Sequence, residues 1–101
     1  MTVNAIPTLS AEIAENLFAL KSYPNPFRER LNIEYNLAEN SDVRIIIYDI
    51  YGKLINTLVN EKQQAGDYSV QWNADSSPQG EYIIKIQAGV YHKVSKVILL
   101  H

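Results

Sequence analysis

Apolar residues recur at every second position in several short segments, and this alternation constrains the fold more than any other feature of the chain. Leu31, Ile33, Tyr35 and Leu37 alternate with polar residues, and the same spacing returns around Trp72. A period of two places alternate side chains on one face, which is typical of a half-buried β-strand. Turn segments rich in glycine and polar residues separate these runs. The sequence therefore predicts an all-β antiparallel sandwich of about seven strands.

The same alternation selects the side chains expected in the core. Trp72 is the chain's one tryptophan and lies in the middle of its predicted strand. A chain of 101 residues has the size of one domain with one core. The predicted core consists of Ile33, Tyr35, Leu37, Val43, Ile45, Ile47, Ile55, Leu58, Tyr68, Val70, Trp72, Tyr82, Ile84, Ile86 and Val97.

The first twenty residues follow a different period. Their apolar side chains recur at steps of three and four, which suits one helical face, and Ser10 suits the cap of a short helix over Ala11–Asn16. These apolar residues are Ile6, Leu9, Ile13, Leu17 and Leu20. A linker is an equally good interpretation, because short isolated helices are marginally stable in water. We therefore divide the chain into a linker or short helical segment, 1–20, and a sandwich domain, 21–101.

Composition argues against several classes of function. The net charge of −2 and the pI near 5.6 do not suit a basic nucleic-acid module. The chain has no cysteine, and its two histidines, His92 and His101, lie in no catalytic motif. Its aspartates lie at or near predicted turns, where such residues commonly bond to the backbone. We expect no enzymatic activity, no cofactor, no metal site and no nucleic-acid partner.

The segment Tyr23, Pro24, Asn25, Pro26 and Phe27 is unusual in its local chemistry. Each proline fixes its own φ, lacks an N–H donor and disfavours helix at the residue before it. The chain is therefore expected to be extended here, with the phenylalanine anchoring it to the sandwich.

This segment and the motifs that follow it resemble the type A C-terminal sorting domain of the type IX, or Por, secretion system. The resemblance extends in order through the alternating strands to the end of the chain. The residues that carry it are Tyr23, Pro24, Asn25, Pro26, Phe27, Asp49, Gly52, Gly66, Trp72, Gly80 and Tyr82, followed by the apolar terminal strand.

The resemblance implies an immunoglobulin-like fold and a non-catalytic sorting signal at the end of a larger cargo protein. The implied partners are the outer-membrane type IX secretion machinery, a sortase-like protease and the cargo domain upstream. The protease would cut near residues 1–22. The implied location is the periplasm in transit and then the cell surface or the extracellular space. His101 follows the usual end of the family pattern and is either native or the remnant of a tag.

The last predicted strand is the candidate for recognition by the export machinery. Its final residues Val97, Ile98, Leu99 and Leu100 are apolar on both faces, although a small sandwich has only one inner face. The outward residues, Ile98 and Leu100, therefore lack an evident partner, unless the N-terminal segment covers them. Lys93 and Lys96 would supply charge to the same site. An apolar edge strand also predicts weak self-association.

Two other functions are compatible with a sandwich of this kind. One is a structural immunoglobulin-like module, either a spacer or a domain of the flagellar hook-capping type. The other is an accessory carbohydrate-binding domain, for which exposed tyrosine rings would be needed. Tyr23, Tyr48, Tyr51 and Tyr91 are the tyrosines outside the predicted core.

Overall fold

The computed structural model describes residues 18–101, and these form a sandwich of seven β-strands in two antiparallel sheets. One sheet has three strands in the order β1-β2-β5, and the other has four in the order β4-β3-β6-β7. The predicted seven-strand antiparallel sandwich is confirmed, and its strand order suits an immunoglobulin-like fold. The strands are β1 Phe18–Tyr23, β2 Arg30–Leu37, β3 Ser41–Asp49, β4 Leu54–Gln63, β5 Gly66–Asn73, β6 Gly80–Ala88 and β7 Tyr91–Leu99.

The first strand departs from the sequence analysis at Leu20, which the helical spacing placed on a helix face. Leu20 lies in β1 and pairs with Tyr35 of β2. Pro24 disfavours helix at the residue before it, and β2 offers a long strand edge with which to pair. β1 thus begins before residue 21, where the sandwich was expected to start. The helix considered after Ser10 lies outside the described residues.

The core agrees with the alternation. Every side chain predicted to be in the core is either buried or packed against the buried cluster. The structure adds further buried side chains, several of them at strand ends and in connecting segments. These are Phe27, Leu31, Val59, Ala74, Ala88 and Leu99.

Strand β4 breaks the simple alternation. Ile45 pairs with Val59 but Ile46 pairs with Thr57, so Leu58 is an extra residue in β4. A second irregularity follows at Ile55. β-Bulges of this kind bend a strand and help to protect a sheet edge from pairing with other chains.

Trp72 is buried and links the two sheets. It lies on β5, and its ring centroid is 5.0 Å from that of Tyr82 on β6, in an edge-to-face arrangement. A second ring, that of Phe27, lies 5.4 Å away. Such aromatic pairs stabilise a protein beyond the area that they bury. The tryptophan is therefore the centre of packing at one end of the sandwich.

The connection between β3 and β4 is held by one carboxylate. The Asp49 side chain accepts hydrogen bonds from the backbone N–H groups of Tyr51 and Lys53, each at 2.9 Å. Gly52 has a φ of +84°, a conformation that side chains with a Cβ rarely adopt. Asp49 and Gly52, which the resemblance singled out, are therefore turn-forming residues.

Tyr82 forms the kind of tyrosine corner seen in immunoglobulin-like domains. Its hydroxyl donates a hydrogen bond to the carbonyl of Pro78, four residues upstream, while the ring is buried. Burial raises the pKa of Tyr82 above its usual value of 10.0. Burial likewise raises the pKa of Tyr35.

These pKa shifts predict a loss of stability at high pH. The folded state holds the phenol protons more tightly, so their contribution is fully present below pH 10 and is lost as the pH rises further. Tyr82→Phe should cost about 0.5–1.5 kcal/mol at pH 8, because its hydrogen bond is lost. The gap between wild type and Y82F should then narrow above pH 10, as measured by urea unfolding at several pH values. A gap that stays constant to pH 11 would contradict this prediction.

Candidate recognition surface on the last strand

Strand β7 lies at the edge of the four-stranded sheet and pairs with β6. Val97 and Leu99 point into the core and are fully buried. Ile98 and Leu100 point away from it and keep 37% and 38% of their surface exposed. Of the four terminal apolar residues, only these two therefore present much side-chain surface to a partner of the folded domain.

Residues 25–27, which we call the clasp, lie along the outer edge of β7. The backbone N–H of Phe27 donates to the carbonyl of Ile98, and the N–H of Leu100 donates to the carbonyl of Phe27, both at 2.9 Å. Phe27 and Leu99 thus form a short parallel bridge. The buried Phe27 ring anchors the clasp beside Trp72. The expected anchoring role of this phenylalanine is present in the structure.

Asn25 extends the clasp with its side chain. Its Oδ1 accepts a hydrogen bond from the N–H of Ile98 at 3.0 Å, and its Nδ2 donates to the carbonyl of Lys96 at 3.3 Å. The amide side chain thus bonds to β7 as the backbone of a neighbouring strand would. The sequence analysis identified the motif but missed this role of Asn25. The one feature of the sequence that points to it is the position of the asparagine between two prolines.

The clasp changes how the terminal strand can be recognised. It bonds to the backbone of β7 between Lys96 and Leu100, where the sequence analysis expected an exposed edge. Ile98 and Leu100 nevertheless remain partly exposed. The clasp therefore covers the backbone of this part of the strand and leaves its outward side chains accessible.

The two lysines of the candidate site lie in different environments. Lys96 points outward, and its Nζ is 3.5 Å from a carboxylate oxygen of Glu81 on β6. Both side chains are largely exposed, and such surface ion pairs add little stability. Lys93 is on the inward side of β7 and is half-buried. Of the two, Lys96 is therefore the one placed beside Ile98 and Leu100.

Tyr23 is the last residue of β1 and lies just before the clasp in the chain. Its hydroxyl donates a short hydrogen bond to the Glu34 carboxylate, and this bond raises the pKa of Tyr23. The Nζ of Lys21 lies 5.4 Å from the centre of the same ring, within the range of a cation–π contact. The peptide bonds before Pro24 and Pro26 are both cis.

The remaining residues of the predicted motif lie at strand ends and turns. Gly66 and Gly80 begin β5 and β6, and Asp49 bonds to its own turn.

Among residues 18–101, no group of three or more histidine, aspartate and glutamate side chains is placed to hold a metal ion. Within the same range, no helix has the length and apolar character to cross a membrane.

Two solved structures from Porphyromonas gingivalis contain a similar fold. Dimeric latent PorU matches 82% of this chain at 19% identity, with a TM-score of 0.65. PorZ, described as an essential bacterial surface component of the type IX secretion system, matches 82% at 20% identity, with a TM-score of 0.59. The match covers 9% of the PorU chain and 12% of the PorZ chain. These similarities support the immunoglobulin-like fold of the domain.

Sequence comparison gives the family. No curated protein shows significant similarity to this chain. The family model described as the secretion system C-terminal sorting domain matches residues 21–100, from just after Leu20 through the outward-facing Leu100. This range includes the clasp, the Asp49 turn, Trp72 and the whole of β7. The chain therefore belongs to the family of secretion system C-terminal sorting domains.

Proposed function

We propose that this domain is the non-catalytic sorting signal of a larger cargo protein and directs that cargo across the outer membrane by type IX secretion. The export machinery contacts the outward side chains of the terminal strand, with Ile98 and Leu100 as apolar contacts and Lys96 supplying charge beside them, while Lys93 adds charge from the other side of β7. The cargo passes through the periplasm to the cell surface or the medium. A sortase-like protease then cuts near residues 1–22.

The observation that carries this proposal is the family match over residues 21–100. The structure supports it with apolar side chains that remain accessible on β7 although the adjacent backbone is bonded to the clasp. The type IX route is also supported by the similar fold within PorZ, which is itself described as part of that system. A family whose described role is sorting gives no reason to expect catalysis by this domain.

The proposal is tested with a reporter that carries a periplasmic signal peptide and ends in this complete chain, produced in a host with type IX secretion. We expect the wild-type fusion at the cell surface or in the medium, and a reporter without the domain in the periplasm. Ile98→Ser combined with Leu100→Ser should reduce export roughly tenfold, because the exposed parts of both side chains no longer contribute apolar contact area. Lys93→Glu combined with Lys96→Glu should also reduce export.

Two controls separate recognition from folding. Val90→Ser removes an exposed apolar side chain from the turn between β6 and β7 and should not affect export. Circular dichroism and thermal unfolding of each purified domain should show that the variants fold. Normal export of both folded double variants would reject the terminal strand as the signal, and a periplasmic wild-type fusion would reject the proposed function itself.

A further inference from the structure

The outer faces of the two sheets differ in chemistry. The described residues on the outer face of the three-stranded sheet are mostly polar, with Tyr23 as the aromatic exception and two bases balancing two acids. The bases are Lys21 and Arg30, and the acids are Glu34 and Asp67. The other residues on this face include Asn32, Asn36, Ser69, Gln71 and Asn73. This composition is ordinary for a solvated sheet face.

The outer face of the four-stranded sheet is more apolar. Cross-strand pairing places Leu54, Tyr48, Ile83 and Lys96 in one row across all four strands. The next row contains Thr57, Ile46, Lys85 and Val94, and Ile98 lies beyond the first row on β7. We call these two rows with Ile98 the outer patch.

Exposure within the outer patch follows a centre-to-rim pattern. Ile46 is only 5% exposed although it lies outside the core cluster, on the side of the sheet that no other layer of the described structure covers. Leu54 on one edge strand and Val94 on the other are 51% and 61% exposed. Exposed apolar side chains grouped on one face of a soluble domain can mark an interaction site.

The charge of this face identifies the chemistry of a partner. The outward positions of the four strands carry four bases, Arg44, Lys62, Lys85 and Lys96, and two acids, Asp42 and Glu81. Their sum is +2, although the whole chain has a net charge of −2. Complementary charge steers association and disfavours partners of like sign. The face therefore suits an acidic surface and opposes face-to-face pairing with a second copy of itself.

The clasp gives an independent reason to consider the face rather than the strand edge. It already bonds to the backbone of β7 from Lys96 to Leu100, so a partner cannot add a strand there without displacing it. A partner can still contact the outward side chains of β7. Those side chains include Val94, Lys96 and Ile98 of the outer patch, and the pairing of Lys96 with Ile83 and of Ile83 with Tyr48 connects them to the neighbouring strands.

We propose that the outer patch as a whole is the docking surface, and that its occupant is a protein of the export machinery with an apolar contact area bordered by carboxylates. This inference rests on the proposed function and extends its recognition site from the last strand to β3, β4 and β6.

The test uses the same reporter carrying the complete chain, with changes outside the terminal residues. Leu54→Ser combined with Val94→Ser removes two exposed apolar side chains at opposite edges of the patch and should reduce export about tenfold. Arg44→Glu combined with Lys85→Glu reverses the sign of the net charge on the outer face of the four-stranded sheet and should also reduce export. Arg44→Lys combined with Lys85→Arg keeps that charge and should preserve export. Lys21→Glu combined with Arg30→Glu, on the other sheet, makes the same change in net charge and should have no effect.

Two further measurements identify the occupant. The free wild-type chain, produced in the periplasm, should compete with the wild-type reporter for export, and the L54S/V94S chain should compete less. Sedimentation of the purified chain with phosphatidylglycerol vesicles should show no binding that depends on Arg44 and Lys85. Vesicle binding lost in R44E/K85E would overturn a protein occupant in favour of a membrane, and a dimer lost in L54S/V94S would overturn it in favour of a second copy.

The results of these experiments also distinguish a failure of this inference from a failure of the proposed function. If the wild type is exported and I98S/L100S is not, while both folded patch variants are exported and compete normally, the docking surface is limited to the last strand and the inference fails. If the wild-type fusion itself stays in the periplasm, the proposed function fails.

Discussion

Replacing Trp72 with alanine is expected to lower the free energy of unfolding by about 3–5 kcal/mol. The indole is almost wholly buried and packs against Phe27 and Tyr82, so its removal leaves a cavity between the two sheets. A small domain typically has only about 5–15 kcal/mol of stability in total. The substitution should therefore bring the domain close to unfolding at room temperature.

Urea unfolding followed by circular dichroism measures this loss without relying on the deleted fluorophore. Tyr51→Ala serves as the control, because Tyr51 is an almost fully exposed ring in the β3–β4 turn, and its loss should change stability by no more than about 0.5 kcal/mol. In the wild type, the fluorescence of Trp72 should be that of a buried indole and should shift towards the solvent value on unfolding. A loss below 1 kcal/mol in W72A would contradict the packing described here.

The sequence predicts the strands best where one face is buried. From Leu31 to Leu37 and from Ile84 to Gln87 the alternation of apolar and polar residues matches the alternation of buried and more exposed side chains. The pattern is strong because each inward residue in these strands packs between the sheets. The centre of the fold is thus predictable from local spacing alone.

The pattern fails where pairing and long-range contacts decide the structure. Leu58 was expected in the core by its position and does pack against it, but the alternation could not show that Leu58 is a bulge residue in β4 and that its neighbour Val59 is buried as well. β1 carries no clear period of two, and its pairing with β2 makes it a strand. An edge strand of this kind has little local signal.

The candidate site was also only partly predictable. The outward direction of Ile98 and Leu100 follows from parity, and both are exposed as expected. The hydrogen bonds from Asn25 to β7 join residues more than seventy positions apart. No local pattern can predict such contacts. The sequence therefore predicts the exposure of the Ile98 and Leu100 side chains correctly, but it does not predict that the clasp covers the backbone edge of β7.

Phe27→Ala should produce the second large effect, with a loss of about 3–5 kcal/mol in the free energy of unfolding. Its ring is buried beside Trp72, and its backbone makes two hydrogen bonds to the last strand. Without the ring, the clasp loses its anchor and should detach from β7 more often than the domain unfolds. Asn25→Ala should cost less, about 1–2 kcal/mol, since it removes two partly exposed hydrogen bonds and leaves the ring in place.

Hydrogen exchange distinguishes release of the clasp from general destabilisation. The amides of Ile98 and Leu100 bond to the clasp, whereas the backbone of Val97 faces β6. In F27A the first two amides should exchange much faster while that of Val97 changes only in line with global stability. The exposed backbone should also promote concentration-dependent association in sedimentation experiments, because an uncovered strand edge pairs readily with other chains. Equal acceleration of hydrogen exchange at all three amides would show that the clasp and the sandwich open together. Phe27 would then stabilise the core without separately keeping the clasp bonded to the edge of β7.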